Sequence, residues 1–332
     1  MAIGPRAVIP RVRWLSLVVA AVVVTGCSRA PLVLTPTIAK TAVARDDVLN
    51  AKANNSLDVG LQDQHETGAA AAIDDALFRR LRAQGKTSLG SPPSRSGDLG
   101  VFAPRQGNYP AAFLARREVT LSNNSAQSEF MVFVANGEGK PWREAAYTYL
   151  ELNEPQPSLA VDRQGFARRI NEGGRGFGVT PADLPTQYAS FLSHYNEPPP
   201  QSVFAPGART TEQLTATRAH VASQEANITT TISFRPAGYP VYCFATTSGG
   251  AFCLFSFLST ESYVTRPGTS FTTPLFGPGN EVILDQRETG GHASSTLELL
   301  RTRGALIPLR STRAPVQVVG NYVGVVNASV SS

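Results

Sequence analysis

The sequence predicts an α+β fold built from two units, each with helices followed by an antiparallel sheet. Helical periodicity opens both halves of the chain, as in residues 68–84, where Ile73, Leu77 and Leu81 recur every four residues. Strand-like alternation follows the helices in each half, and residues 228–234 are its clearest case. Helices grouped before strands are typical of antiparallel α+β folds, whereas a parallel nucleotide-binding sheet requires the two to alternate.

The first unit is expected over residues 46–157. Its predicted helices are 46–57 and 68–84, its predicted loop is 86–107, and its predicted strands are 118–122, 129–135 and 145–152. Both faces of the middle strand are apolar, which is typical of a strand in the centre of a sheet. Pro155 and Pro157 end the unit, because neither a helix nor a central strand continues through two prolines so close together.

The second unit is expected over residues 158–332 and also begins with helices. One helix begins near residue 180 and has a single apolar face, and a second covers 210–226; the apolar face consists of Tyr188, Phe191, Leu192 and Tyr195. The strands that follow are predicted at 228–234, 241–247, 251–264, 281–286, 296–301 and 316–326. A helix packed on a curved antiparallel sheet resembles the cystatin-like or NTF2-like cone, and the repeated element order implies two such units in tandem.

The N-terminus has the three parts of a secretory signal over residues 1–26. Basic residues precede an apolar run at 14–24, which is about half of the ~20 residues needed to span a bilayer as a helix. Val24-Thr25-Gly26-Cys27 resembles the bacterial lipobox, which implies cleavage before Cys27 and a diacylglycerol on its thiol. Ordinary secretion with a chance cysteine at this place is the alternative. Residues 27–45, rich in Pro, Thr and Ala, are then expected to form a flexible tether.

Removal of the signal peptide changes the charge of the chain. The whole sequence carries +5, and residues 1–26 contain three arginines and no acidic residue, so the formal charge of the remainder is +2. A nearly neutral chain without blocks of Lys or Arg lacks the concentrated basic face that binds phosphate backbones. Nucleic acid is therefore excluded as a partner, and the expected location is the extracytoplasmic face of the cell membrane.

Cys243 and Cys253 remain as an even pair once Cys27 is lipidated, and an oxidising compartment favours their disulfide. They flank the turn signal at 248–250 of a predicted hairpin. A two-residue loop would place the cysteines on opposite faces, whereas a three- or five-residue loop, or a bulge, aligns them. That register puts five more residues on the cysteine face: Val241, Ala245, Ala251, Phe255 and Phe257. Two free, buried thiols are the alternative.

The sequence contains no recognisable catalytic motif. Nucleophile elbows and the Walker pattern are absent, and the glycine-rich segment 173–178 follows a predicted helix end rather than a strand. The histidines at 65, 194, 220 and 292 lie at none of the spacings typical of metal ligands. The acid pairs 46–47 and 74–75 fall at predicted helix starts, where the helix dipole accounts for them. We therefore predict no catalytic residues, no metal site and no cofactor.

Trp142, Tyr147 and Tyr149 form the most specific candidate for a binding pocket. Trp142 is the only tryptophan after residue 26, and the two tyrosines share one face of a predicted strand. An aromatic face beside a tryptophan suits an apolar or glycan ligand. The alternative is that Trp142 fills the core between sheet and helix.

Several short segments, taken in order, resemble a family of uncharacterised actinobacterial lipoproteins. The lipobox is followed by Asp58, His65-Glu66-Thr67-Gly68, Tyr109-Pro110-Ala111-Ala112-Phe113-Leu114, Pro141-Trp142, Val161-Asp162-Arg163-Gln164-Gly165 and Phe204-Ala205-Pro206-Gly207. The resemblance covers nearly all of the chain after residue 26. It implies a location and an architecture, with no activity to carry over.

Three hypotheses for the function follow. The favoured one is a lipid-anchored, non-enzymatic binding or scaffold module that presents itself to an envelope protein or a small-molecule ligand. The second is a hydrolase acting on envelope material, and the third is a structural spacer. A concave site with converging polar groups near Trp142 favours binding, whereas two carboxylates or a Ser/His pair within hydrogen-bonding reach favour the enzyme.

Overall fold

The computed structural model describes residues 32–90, 94–120, 124–198, 201–224, 228–267 and 294–331, which belong to one compact unit. The helices are α1 (Pro36–Ser56), α2 (Val59–His65), α3 (Gly68–Ala83), α4 (Leu184–Ser193) and α5 (Thr211–Gln224). The strands are β1 (Ser94–Phe102), β2 (Ala111–Thr120), β3 (Ala126–Ala135), β4 (Arg143–Glu151), β5 (Arg169–Ile170), β6 (Ile228–Pro236), β7 (Tyr242–Ala245), β8 (Ala251–Thr265), β9 (Ser294–Ile307) and β10 (Gln317–Ser331). The predicted α+β class is confirmed. Cys27 and the predicted strand 281–286 lie outside the described residues.

The strands of the described residues form one antiparallel sheet. Their order is β1-β2-β3-β4-β10-β9-β8-β7-β5, and β6 pairs with the part of β8 that β7 leaves open. The strands predicted for the two halves meet where β10 pairs with β4, with Asn321 opposite Tyr149. The C-terminal strand therefore makes one continuous sheet of what the sequence suggested as two.

The sheet folds over on itself, so that two layers of strands pack face to face. Helices cover the outer side of each strand layer. On one side, α1 and α3 cover Phe113, Met131 and Phe133. In the middle, Phe130 of β3 meets Phe252 of β8 with 5.0 Å between ring centroids. On the other side, α4 packs against β6 and β8, and α5 packs against β6. Residues of β3 are thus buried on both faces, as the alternation of its apolar residues predicts.

Two segments differ from the predictions. Residues 36–45, expected in the tether, form the first half of α1, because the Thr35 hydroxyl accepts a hydrogen bond from the Ile38 amide at 3.2 Å and Pro36 suits the first helical turn. The buried face of that half of the helix consists of small side chains such as Ala39. The predicted loop 86–107 contains β1, an edge strand paired only with β2, which needs few large apolar residues.

The hairpin of β7 and β8 has the register that the cysteines predict. Cys243 lies directly opposite Cys253, and five residues, 246–250, connect the strands. Since the amide of Thr246 donates to the carbonyl of Gly250, the cysteines fall on a non-hydrogen-bonded site, and their Cα atoms are 4.1 Å apart with the sulfurs at disulfide distance. The apolar residues predicted for the cysteine face all belong to the core beneath α4.

Candidate functional site

A cleft that we call the tyrosine cleft opens between α1, α3 and the sheet. Its volume is about 210 Å³. Three tyrosines line it, Tyr147 and Tyr149 from β4 and Tyr322 from β10. Its polar residues are Asn50, Asn54, Asp74, Arg117 and Glu129. The cleft therefore combines aromatic faces from two strands with charged groups from three elements, α3, β2 and β3.

The beginning of α3 positions Asp74 in the tyrosine cleft. The amide of Thr67 donates to the carbonyl of Glu144 at 2.8 Å, which fixes the first turn of α3 against β4. Gly68 has a positive φ of 62°, and a Cβ on it would lie 3.0 Å from the carbonyl oxygen of Ala145. Only glycine fits this conformation without strain at so short a distance. The helix then places Asp74, in its second turn, above the tyrosines.

Tyr147, Tyr322 and Asp74 form one hydrogen-bonded group, and the ring of Tyr149 packs against it. Tyr147 donates its hydroxyl proton to Oδ2 of Asp74 at 3.0 Å, and Tyr322 donates to Oδ1 of the same carboxylate. The rings of Tyr147 and Tyr322 are 4.0 Å apart at their centroids, and the ring of Tyr149 meets Tyr147 edge-on at 5.7 Å. Burial raises the pKa of all three hydroxyls, so they remain protonated donors.

Arg117 holds the acidic side of the tyrosine cleft. Its guanidinium pairs with Glu129 and, at 2.7 Å, with Asp47 of α1. Burial acts to lower the pKa of Arg117, but the two carboxylates outweigh it, and the net shift is upward. Tyr149 also forms a hydrogen bond with Glu129. The charged groups at this wall are therefore held in place by one another.

A second set of acidic residues lies buried behind the tyrosine cleft. Nδ1 of His65 is 3.0 Å from Oδ1 of Asp46, and both side chains are only 1% exposed. Burial raises the pKa of Glu66, and the nearby carboxylates of Asp74 and Glu144 raise it further. Burial likewise raises the pKa of Glu144. Within the described part of the chain, Oε2 of Glu66 and Oε1 of Glu144 have no hydrogen-bond partner.

Two of the three predicted pocket residues line the tyrosine cleft, and the third does not. Tyr147 and Tyr149 share one face of β4 and line the tyrosine cleft. Trp142 is half-buried against Phe113, with 5.1 Å between ring centroids, and it does not belong to the lining. Asp74, which we attributed to a helix start, lies one turn inside α3 and faces the cleft.

The remaining site predictions concern the anchor, metals and membrane spans. Cys27 lies outside the described residues, so lipidation there stays a prediction. Over the ranges that the structure describes, no group of three His, Cys, Asp or Glu side chains is arranged to hold a metal ion. No helix within the same ranges combines the length and the apolar composition needed to cross a bilayer.

The fold and the cleft define an α+β protein whose N-terminal helices and folded sheet enclose a small aromatic site with fixed carboxylates. The chain belongs to the family described as Domain of unknown function (DUF8094), which matches residues 30–330. This confirms the resemblance seen in the sequence.

Two relatives from Streptomyces share most of the chain. One is the uncharacterized lipoprotein SCO2278 of Streptomyces coelicolor, 27% identical over 277 residues, which are 82% of this chain and 79% of that protein. The other is an uncharacterized lipoprotein of Streptomyces avermitilis, 24% identical over 267 residues, which are 79% of this chain and 74% of that protein. Their names support a lipoprotein, and with it membrane anchoring.

Proposed function

We propose that this chain is a lipid-anchored, extracytoplasmic binding module, not an enzyme, and that the tyrosine cleft receives a small organic cation. The observation that carries the proposal is the union of three tyrosine rings with the carboxylate of Asp74 in one open cleft. The lipobox at Cys27 and the lipoprotein names of the relatives support the anchor.

The chemistry of the tyrosine cleft favours a positively charged ligand. Aromatic faces attract ammonium groups, by about 0.5–2 kcal/mol for each well-placed ring. The lining contains two carboxylates, Asp74 and Glu129, and its single guanidinium, Arg117, is already paired with Glu129 and with Asp47 of α1. Asp74 accepts hydrogen bonds from Tyr147 and Tyr322, which fix its carboxylate beside the aromatic rings of the cleft.

The groups that resemble a catalytic pair are poorly placed for turnover. Asp46 and His65 are buried and do not belong to the lining of the tyrosine cleft. A general base must come within hydrogen-bonding reach of the proton that it removes from the substrate. We therefore assign Asp46 and His65 a structural role that joins α1 to α2.

A titration with choline chloride tests the proposal, with the fluorescence of Trp142 as the signal. Trp142 packs in the same core cluster as Tyr147 and Tyr149. Asp74→Asn removes the negative charge and keeps the shape, so choline affinity should fall about ten-fold, which corresponds to ~1.4 kcal/mol. Asp75→Asn is the matched control, because Asp75 lies outside the lining and pairs with Arg79. Equal losses in both variants, or no saturable binding to the wild type, would overturn the proposal.

An envelope hydrolase is the second candidate, and one contact favours it. Asp74 at the tyrosine cleft is hydrogen-bonded to Glu66, and burial raises the pKa of both carboxyls. Two carboxyl groups in hydrogen-bond contact share one proton in the aspartic proteases, where the pair acts as acid and base. Cleavage of a fluorescently labelled casein, abolished by Glu66→Gln, would establish this activity in place of simple binding.

A further inference from the structure

A wider groove with a positive lining lies at a different place, where β5 and the loop before it meet the segment between β1 and β2. Its volume is about 660 Å³. Three arginines line it, Arg105, Arg168 and Arg169, together with one carboxylate, Asp162. We call it the arginine groove. The charged side chains of its lining leave an excess of two positive charges.

Asp162 neutralises only one of these arginines. Its carboxylate pairs with Arg105 at 2.9 Å, and the Arg105 guanidinium also lies 4.2 Å from the centroid of the Phe166 ring. The other oxygen of Asp162 accepts from the amides of Gln164 and Phe166 at 2.8 and 3.0 Å, which fixes the loop. Asp162 thus belongs to a closed arrangement that holds one wall of the groove.

Arg168 and Arg169 remain available for an anion. Among the described residues, neither forms a salt bridge with a carboxylate. Their backbone is nevertheless fixed, because the carbonyl of Arg168 accepts from the amide of Ala245 at 2.8 Å and Arg169 pairs with Phe244 of β7. Arginine presents a planar fork of donors that suits phosphate.

The arginine groove lies close to the point where the anchored chain enters the fold. The amide of Val33 donates to the carbonyl of Gln106 at 3.0 Å, and Gln106 lines the groove. The side-chain amide of Gln106 also donates one hydrogen bond to the backbone carbonyl of Ala112 and accepts one from its backbone amide, both at 3.0 Å. Val33 is six positions after Cys27, and so short a segment spans at most about 21 Å when fully extended.

We infer that the arginine groove receives the phosphate of an anionic phospholipid headgroup, through Arg168 and Arg169, in the membrane that holds Cys27. The inference rests on the proposed lipid anchor, which keeps the groove near the headgroups. A bound headgroup would orient the compact unit on the membrane.

Sedimentation with vesicles tests the inference on the chain from Ser28 onward, which carries no lipid and keeps the whole compact unit. Vesicles of phosphatidylcholine alone are compared with vesicles that contain about one-third phosphatidylglycerol. Each basic residue near an anionic surface contributes about five-fold in affinity, so the double variant Arg168→Ala/Arg169→Ala should bind the mixed vesicles about thirty-fold more weakly. Arg79→Ala/Arg82→Ala, on α3 outside the groove, removes the same charge and should lose no more than about two-fold.

Three outcomes would overturn the inference. They are equal losses in both double variants, no preference of the wild type for the mixed vesicles, and saturable binding of inorganic phosphate to the wild type, but not to the groove variant, when neither protein sediments with the vesicles. The last outcome would assign the groove to free phosphate. Thermal melts of each variant show whether it is folded. Because the tested chain lacks the anchor, a failure here leaves lipidation of Cys27 to be decided by its own measurement.

Discussion

Glu144 and Glu66 are the residues at which stability should depend most on pH. Burial raises the pKa of both above the ordinary value of 4.5, so the folded chain binds protons that the unfolded chain releases. Their contribution to the free energy of unfolding is therefore greatest below about pH 4.5 and is lost as the pH rises through the raised pKa. Glu144→Gln should leave stability at about pH 4.5 nearly unchanged and raise it by about 1–3 kcal/mol at about pH 8, measured by urea unfolding. The exposed Glu118→Gln is the control, and parallel pH profiles for Glu144→Gln and wild type would contradict the prediction.

At the same scale, the sequence predicts only part of the candidate site. Tyr147 and Tyr149 follow from strand alternation, because neighbours two apart share a face whatever the sheet contains. Asp74 and Tyr322 meet from opposite ends of the chain, 248 residues apart, and no local pattern brings such residues together. The burial of Glu144 could not be predicted for a different reason. A charged residue beside two alanines at the start of a strand is typical of a solvated strand end, but in the structure α2 and α3 pack on β4 and cover it.

The β7–β8 hairpin is the element that local reasoning predicts best, because the disulfide and the turn constrain the same register. Cross-linking residues separated by 10 positions should stabilise the fold by about 2–3 kcal/mol through the lower entropy of the unfolded chain. Cys243→Ala/Cys253→Ala should lower the free energy of urea unfolding by this amount, and reduction of the wild type should have a similar effect. An unchanged unfolding midpoint in reductant would show that the sulfurs are not bonded.

The sequence does not predict that α3 packs against β10. Gly324 of β10 makes this close packing possible. A Cβ at residue 324 would lie 2.4 Å from Cγ2 of Ile73, and a β-branched side chain in a helix has little rotamer freedom to move away. Gly324→Ala should therefore lower the free energy of unfolding by about 1–3 kcal/mol, seen as a lower Tm. Gly173→Ala is the control, because its Cβ meets no atom within 4 Å, and equal effects of both would contradict this account.

At the scale of the whole molecule, α+β is predictable from element order, whereas the joining of the halves is not. The order of helices and strands reports which elements exist, but the pairing of β4 with β10 joins residues far apart in the sequence, such as Tyr149 and Asn321. The polar composition of β1 and the alanine-rich start of α1 conceal both elements for a related reason. An edge strand and a helix with a small-residue face bury little large apolar surface, which is the signal that pattern reading uses.

Attachment to the membrane is a property of the whole chain, and the mass of the native protein decides it. The lipobox implies that the mature chain begins at Cys27, and the relatives' names support a lipoprotein. Protein purified from its own membrane should begin at Cys27, carry an added mass of diacylglycerol size, and gain two hydrogens on reduction of Cys243–Cys253. Cys27→Ala should remove the added mass and release the protein from the membrane fraction, while thermal unfolding of the compact unit stays unchanged. A wild-type chain of unmodified mass in the medium would mean ordinary secretion, and the headgroup contact at the arginine groove would then lose the anchor that brings it to the bilayer.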